Sequence, residues 1–110
     1  MIKTLFTLVI SQRDEQIDFQ MQKVIQMPYL VHKDEILEWG KGGLWQLFIV
    51  GDIFFNLTSE CLTVEIVPVE GTDWHHEQIR LEDRADIQAQ LEEDGWALKG
   101  PSPIFNHEGD

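Results

Sequence analysis

Residues 16–27 read Gln-Ile-Asp-Phe-Gln-Met-Gln-Lys-Val-Ile-Gln-Met, and this stretch decides the fold class of the chain. Its larger apolar side chains share one parity, and most of its polar side chains share the other. The apolar set is Ile17, Phe19, Met21, Ile25 and Met27. Because successive side chains of a strand point to opposite faces of a sheet, this spacing predicts a strand with one apolar face. The polar residues 12–15 separate it from the apolar segment 3–11, so we expect a β-hairpin over residues 3–27.

Two further β segments follow Pro28, which ends the first hairpin because proline cannot donate to a strand ladder. A short strand is predicted over residues 35–39, before the glycine-rich turn at residues 40–43. Residues 44–55 and 61–69 then predict a second hairpin, with a turn at residues 56–60. Gly51-Asp52 interrupts the first of these strands and indicates a bulge or a bend.

Residues 83–94 predict the only helix. Asp83 is a candidate N-cap, and Gly95 stands where a left-handed C-cap is expected. The apolar stripe is narrow, with Ile87 and Leu91 four residues apart. Three consecutive acids at residues 92–94 oppose the helix dipole, so we expect a short helix stabilised by packing.

The fold class is therefore mainly β (α+β): a small antiparallel sheet of five strands, curled into a partly open barrel, with one C-terminal helix. The order of elements over about residues 16–70 loosely resembles SH3-like small barrels, although no specific motif supports it. That resemblance implies no activity, because such barrels host many functions. We expect one domain over residues 1–99 and a loosely ordered tail over 100–110.

The core is expected to contain side chains from both hairpins and the helix. Seven should be largely buried: Phe19, Met21, Ile25, Phe48, Val64, Ile66 and Leu91. Trp45, Trp96 and Leu98 have apolar neighbours or follow the helix, and we expect them in the core as well.

The net charge is −12, and residues 71–110 carry ten acidic and three basic side chains. Such a chain repels nucleic acid and anionic membrane surfaces. Its single cysteine, Cys61, excludes an internal disulfide and favours a reducing compartment, so we expect a cytoplasmic protein. Residues 1–10 resemble a strand more than a signal peptide, because a small-residue cleavage site is missing.

His75-His76-Glu77 invites a metal interpretation. Adjacent strand residues point to opposite faces, and no recognised ligand spacing is present, so we expect neither a metal nor another cofactor. The alternative left open is a small metal-assisted or ligand-binding enzyme that uses His75, His76 and nearby acids. Metal content of the purified protein, or a deep pocket beside these histidines, would favour it.

The residues predicted to form a binding surface are two tryptophans and three helix acids: Trp39, Trp74, Asp86, Glu92 and Glu93. Each tryptophan is either a lid over an edge of the core or an interface anchor. The acids are either a solvated helix face or a docking surface for a basic protein.

No catalytic constellation is recognised in the sequence. We therefore expect a non-catalytic protein-interaction module or a subunit of an assembly, with a basic protein as its partner. Because the final third is strongly acidic, self-association as a homodimer should use the N-terminal half. The apolar strand at residues 3–11 should be central in its sheet or paired across a dimer.

Overall fold

The computed structural model describes residues 1–11, 18–41, 44–75, 79–80 and 83–100. Its strands and helix are, in chain order, β1 (Ile2–Ser11), β2 (Asp18–Met27), β3 (Ile36–Lys41), β4 (Leu44–Asn56), β5 (Cys61–Pro68), α1 (Arg84–Glu93) and β6 (Ala97–Gly100). All strands belong to one six-stranded sheet of order β3-β4-β5-β1-β2-β6. The described part of the chain is therefore mainly β with one helix, as predicted. The predicted tail lies outside the described residues, apart from Gly100 itself.

Both predicted hairpins are present. β1 and β2 pair antiparallel without interruption, from Ile2 opposite Met27 to Ser11 opposite Asp18. β4 and β5 also pair antiparallel, and their register shifts between Val50 and Ile53. This shift confirms the predicted irregularity at Gly51-Asp52, since an extra residue on one strand displaces the ladder.

The sheet is mainly antiparallel, and its one parallel pair among the described strands is that of β1 with β5. β1 is central in the sheet, which is one of the two positions predicted for residues 3–11. Its parallel ladder with β5 joins the two hairpins. The structure also adds β6, a four-residue strand beside β2 that was too short to be recognised by alternation. The predicted SH3-like barrel is not confirmed, because the sheet is open and has β3 and β6 as its outermost strands.

The core is built on one face of the sheet, here called the inner face, which carries Phe6, Leu8, Met21 and Ile66. Of the seven predicted core residues, five are buried: Met21, Phe48, Val64, Ile66 and Leu91. Ile25 is partly buried against the cluster, and the side chain of Phe19 lies outside the described part. Trp96 is buried, as expected.

Two core predictions are wrong. Trp45 is 55% exposed, because its position opposite Gly40 places it on the other face of the sheet. Leu98 is 42% exposed, because it belongs to the short edge strand β6. Apolar neighbours along the chain do not report which face of a strand is covered.

Helix α1 buries the two predicted side chains, Ile87 and Leu91. Asp83 occupies the N-cap position, but its side chain makes no cap hydrogen bond and instead accepts one from the backbone N–H of Arg80. At the other end Gly95 has a φ of +91°. The backbone N–H of Trp96 donates to the Leu91 carbonyl and that of Gly95 to the Glu92 carbonyl. This is the Schellman arrangement, and it confirms the predicted glycine C-cap.

We expect Gly95→Ala to lower the free energy of unfolding by about 1–2 kcal/mol, because an L residue is strained at positive φ. A Cβ there would lie 3.5 Å from Lys23 Cε, an ordinary contact, so the loss should come from the backbone. Gly71 is the matched control, since its φ is +89° and a Cβ there would meet nothing within 4 Å. Urea denaturation should give similar losses for both alanine variants. A Gly95→Ala protein as stable as the parent would contradict this account of the helix end.

Candidate functional site

An apolar groove of about 180 Å³ opens on the inner face of the sheet. Its walls come from five strands and from the residue before β6: Phe6, Ile25, Met27, Leu37, Glu38, Trp39, Phe48, Ile66 and Trp96. Pockets for small molecules generally measure about 300–1,000 Å³. This groove is smaller, so by volume it fits a single apolar side chain better than a whole substrate.

A carboxylate with three partners lies beside this groove; we call Lys23, Trp39, Asp94 and Trp96 the Asp94 cluster. Asp94 Oδ2 accepts hydrogen bonds from Trp39 Nε1 at 2.9 Å and from Trp96 Nε1 at 3.2 Å. Lys23 Nζ lies 3.4 Å from the same oxygen and also donates to the backbone carbonyl of Asp94. An acid at the C-terminal end of a helix opposes the helix dipole. For Asp94, the two indole N–H groups and the Lys23 ammonium offset this penalty.

The cluster changes the ionisation of Asp94. Burial by itself raises the pKa of this carboxyl, but the Trp39 hydrogen bond, the Lys23 charge and the Trp96 hydrogen bond outweigh it and hold the pKa below its usual value. The ionised form is therefore the one that the fold stabilises. Such a carboxylate is suited to holding elements together and is a poor general acid near neutral pH.

The Asp94 cluster also shapes the sheet. Strands β3 and β2 are separated by three other strands, which on a flat sheet corresponds to about 19 Å. Trp39 of β3 and Lys23 of β2 nevertheless meet at one carboxylate. The open sheet must therefore curl around its inner face, and side chains rather than backbone pairing link its two ends.

The opposite face, here called the outer face, carries a second apolar surface. Cross-strand pairing places Ile36 beside Ile49, and Trp45 and Leu47 share their parity. These four residues form what we call the outer patch. Ile36 is 49% and Trp45 55% exposed, while Leu47 and Ile49 are partly buried. The buried helix residues Ile87 and Leu91 belong to the inner-face cluster, so α1 leaves this patch uncovered.

A second cavity, of about 290 Å³, lies where the segment after β5 passes the ends of β1 and β5. It is lined by Val9, Ser11, Val67, Pro68, Trp74 and His75. His75 is partly buried there, whereas His76 lies outside the described residues. Within the described part of the chain, no group of three or more His, Cys, Asp or Glu side chains could hold a metal ion.

The five predicted binding residues differ in their exposure. Trp39 and Trp74 are buried, with ring centroids 5.2 Å apart, and Trp74 also lies 6.1 Å from Phe48. Both side chains belong to the buried core cluster. Asp86, Glu92 and Glu93 are exposed on α1. Sequence reasoning missed the groove, the Asp94 cluster and the outer patch, although the alternation of residues 44–50 could have placed Trp45 and Leu47 on a common face.

A scan against protein-family models, a search of curated proteins and a search of solved structures each found no match for this chain. Among the described residues, no helix has the length and apolar character needed to cross a membrane. Functional inference therefore depends on the surfaces described above.

Proposed function

We propose that this protein is a non-catalytic protein-interaction module, or a subunit of an assembly, and that the outer patch is its contact surface. The exposure of Trp45 and Ile36 on the same face of the β3–β4 pair, which α1 leaves uncovered, is the observation that supports this proposal. Contiguous exposed apolar side chains often mark interaction sites, and tryptophan is enriched among residues that dominate binding energy.

The proposed partner is a basic protein. Glu38 lies on the same face as the outer patch, opposite Leu47, and the chain carries a net charge of −12. A basic partner would be steered toward such a surface and held by the apolar centre. Asp86, Glu92 and Glu93 would add a second acidic area on α1.

We place this interaction in the cytoplasm, in keeping with the single cysteine. The resemblance to SH3-like barrels stays a prediction and carries none of this argument.

We expect Trp45→Ser to weaken partner binding by about 30-fold or more, the loss typical of a central tryptophan. The partner would first be identified by cross-linking the tagged chain in its native cells, then purified for calorimetry. Leu30→Ser is the matched control, because Leu30 is 50% exposed but lies outside the sheet. Added salt should also weaken binding. Equal affinities for Trp45→Ser and the parent would reject the outer patch.

The second candidate function is ligand binding or metal-assisted catalysis at the cavity beside His75. It is favoured by one observation, the placement of His75 and Ser11 around the same cavity. Metal analysis of the purified protein, with and without replacement of His75 and His76, distinguishes the two proposals. A stoichiometric metal that is lost on replacement would favour this candidate over the interaction module.

A further inference from the structure

Among the described residues, none pairs with one side of the C-terminal half of strand β4. β3 covers β4 only from Leu44 to Ile49, and the backbone of residues 34–35 extends the contact to Val50. From Ile53 to Asn56, β4 pairs with β5 on its other side. No described residue pairs with the remaining edge of this segment. We call residues 53–57, Ile-Phe-Phe-Asn-Leu, the β4 edge.

The β4 edge exposes apolar side chains on both faces of the sheet. Phe54 and Phe55 are each 57% exposed, and Leu57, in the turn that follows, is 86% exposed. Proteins usually protect such an edge with charged residues, proline or a bulge. Here the bulge at residues 51–52 precedes the edge, and residues 53–59 contain neither a charged residue nor proline.

We propose that the β4 edge pairs antiparallel with the same edge of a second copy of this chain, forming a two-fold symmetric dimer. An unpaired antiparallel strand edge is self-complementary, so one segment can serve both copies. Charge selects the place of contact, because two copies of a chain of net charge −12 repel each other least where they meet at an uncharged segment such as residues 53–59. The proposal is independent of the outer patch and concerns a different part of β4.

The expected dimer is weak. A fully buried aromatic side chain contributes about 150–250 Å², so the exposed parts of Phe54, Phe55 and Leu57 from two copies give roughly 500–800 Å². Paired backbone adds to this, but the total only approaches the ~1,200 Å² that marks the lower bound of stable interfaces. We therefore expect a dissociation constant in the micromolar range.

Sedimentation equilibrium over a range of concentrations tests the proposal with Phe54→Lys and Phe55→Lys. Each lysine should weaken the dimer about tenfold or more, because like charges would face each other across the paired strands. Each lysine also makes the chain less acidic, which by itself would favour association. A loss of dimer affinity must therefore arise at the β4 edge. Circular dichroism should show an unchanged fold, since both phenylalanines are mainly exposed.

Val24→Lys is the matched control, because Val24 is 49% exposed and lies on β2, far from β4 in the strand order. Val24→Lys should leave the dimer affinity unchanged, and so should Trp45→Ser. Phe54→Lys should leave the affinity of the outer patch for its partner unchanged. Added salt should strengthen the dimer by screening repulsion, the reverse of its effect on a basic partner.

Hydrogen exchange provides the second measurement, because amide protection at residues 53–56 should increase with protein concentration if backbone pairing holds the dimer. A chain that stays monomeric at high concentration and high salt would overturn the proposal. So would a dimer that is lost with Val24→Lys but survives both β4 substitutions, since the interface would then lie on β2.

Discussion

Replacement of Phe48 by alanine is expected to lower the free energy of unfolding by about 3–5 kcal/mol. Phe48 is 2% exposed, lines the inner groove and packs near Trp74. Its removal would create a cavity that adjoins the groove on the inner face. Because the surrounding strands are fixed by their ladders, the site cannot collapse fully around alanine. Urea denaturation of the two proteins gives the difference directly.

Phe54→Ala is the matched control for this experiment, because the same residue type stands on the same strand but is 57% exposed. We expect it to cost less than about 1 kcal/mol, as most exposed substitutions do. Both proteins should be compared at low concentration, so that any self-association at the β4 edge does not contribute. Similar losses for Phe48→Ala and Phe54→Ala would show that the inner face is not the main core.

Asp94→Ala should lower the free energy of unfolding at neutral pH by about 2–3 kcal/mol, since it removes the common acceptor of two indole N–H groups and the counter-charge of Lys23. Trp39 is buried, so its Nε1 would be left without a partner inside the protein. Thermal or urea unfolding measures the loss. Glu92→Ala is the control, because Glu92 is exposed in the same helix, and it should change stability by less than about 0.5 kcal/mol.

The loss of stability caused by Asp94→Ala should also depend on pH. The pKa of this carboxyl is lower in the folded protein, so its contribution to stability is fully present above the unfolded value of about 3.9. It is lost as the pH falls through the folded pKa, where the native carboxylate becomes protonated. The stability difference between the parent and Asp94→Ala should therefore shrink below about pH 4. A difference that is the same at pH 7 and pH 3 would show that ionisation of Asp94 contributes nothing.

The local elements of this protein were predictable from its sequence. Period-two alternation in residues 16–27 and 61–69 identified two strands whose bounds the structure confirms within one or two residues. Gly95 marked the end of the helix because only a residue without Cβ adopts a φ of +91° easily. These features depend on neighbouring residues, so a single sequence contains the information that determines them. The buried stripe of Ile87 and Leu91 was predictable for the same reason, because it depends on spacing within one helix.

Only the tertiary structure decided how these elements combine. The parallel ladder of β1 and β5 joins segments more than fifty residues apart, and many registers would satisfy the same alternation. That ladder makes β1 central, while the short β3 does not extend along the β4 edge. The curl of the sheet brings Trp39 to Asp94 and buries it, whereas Trp45 faces outward. Alternation determines which side chains share a face; the packing of distant segments determines which face is covered.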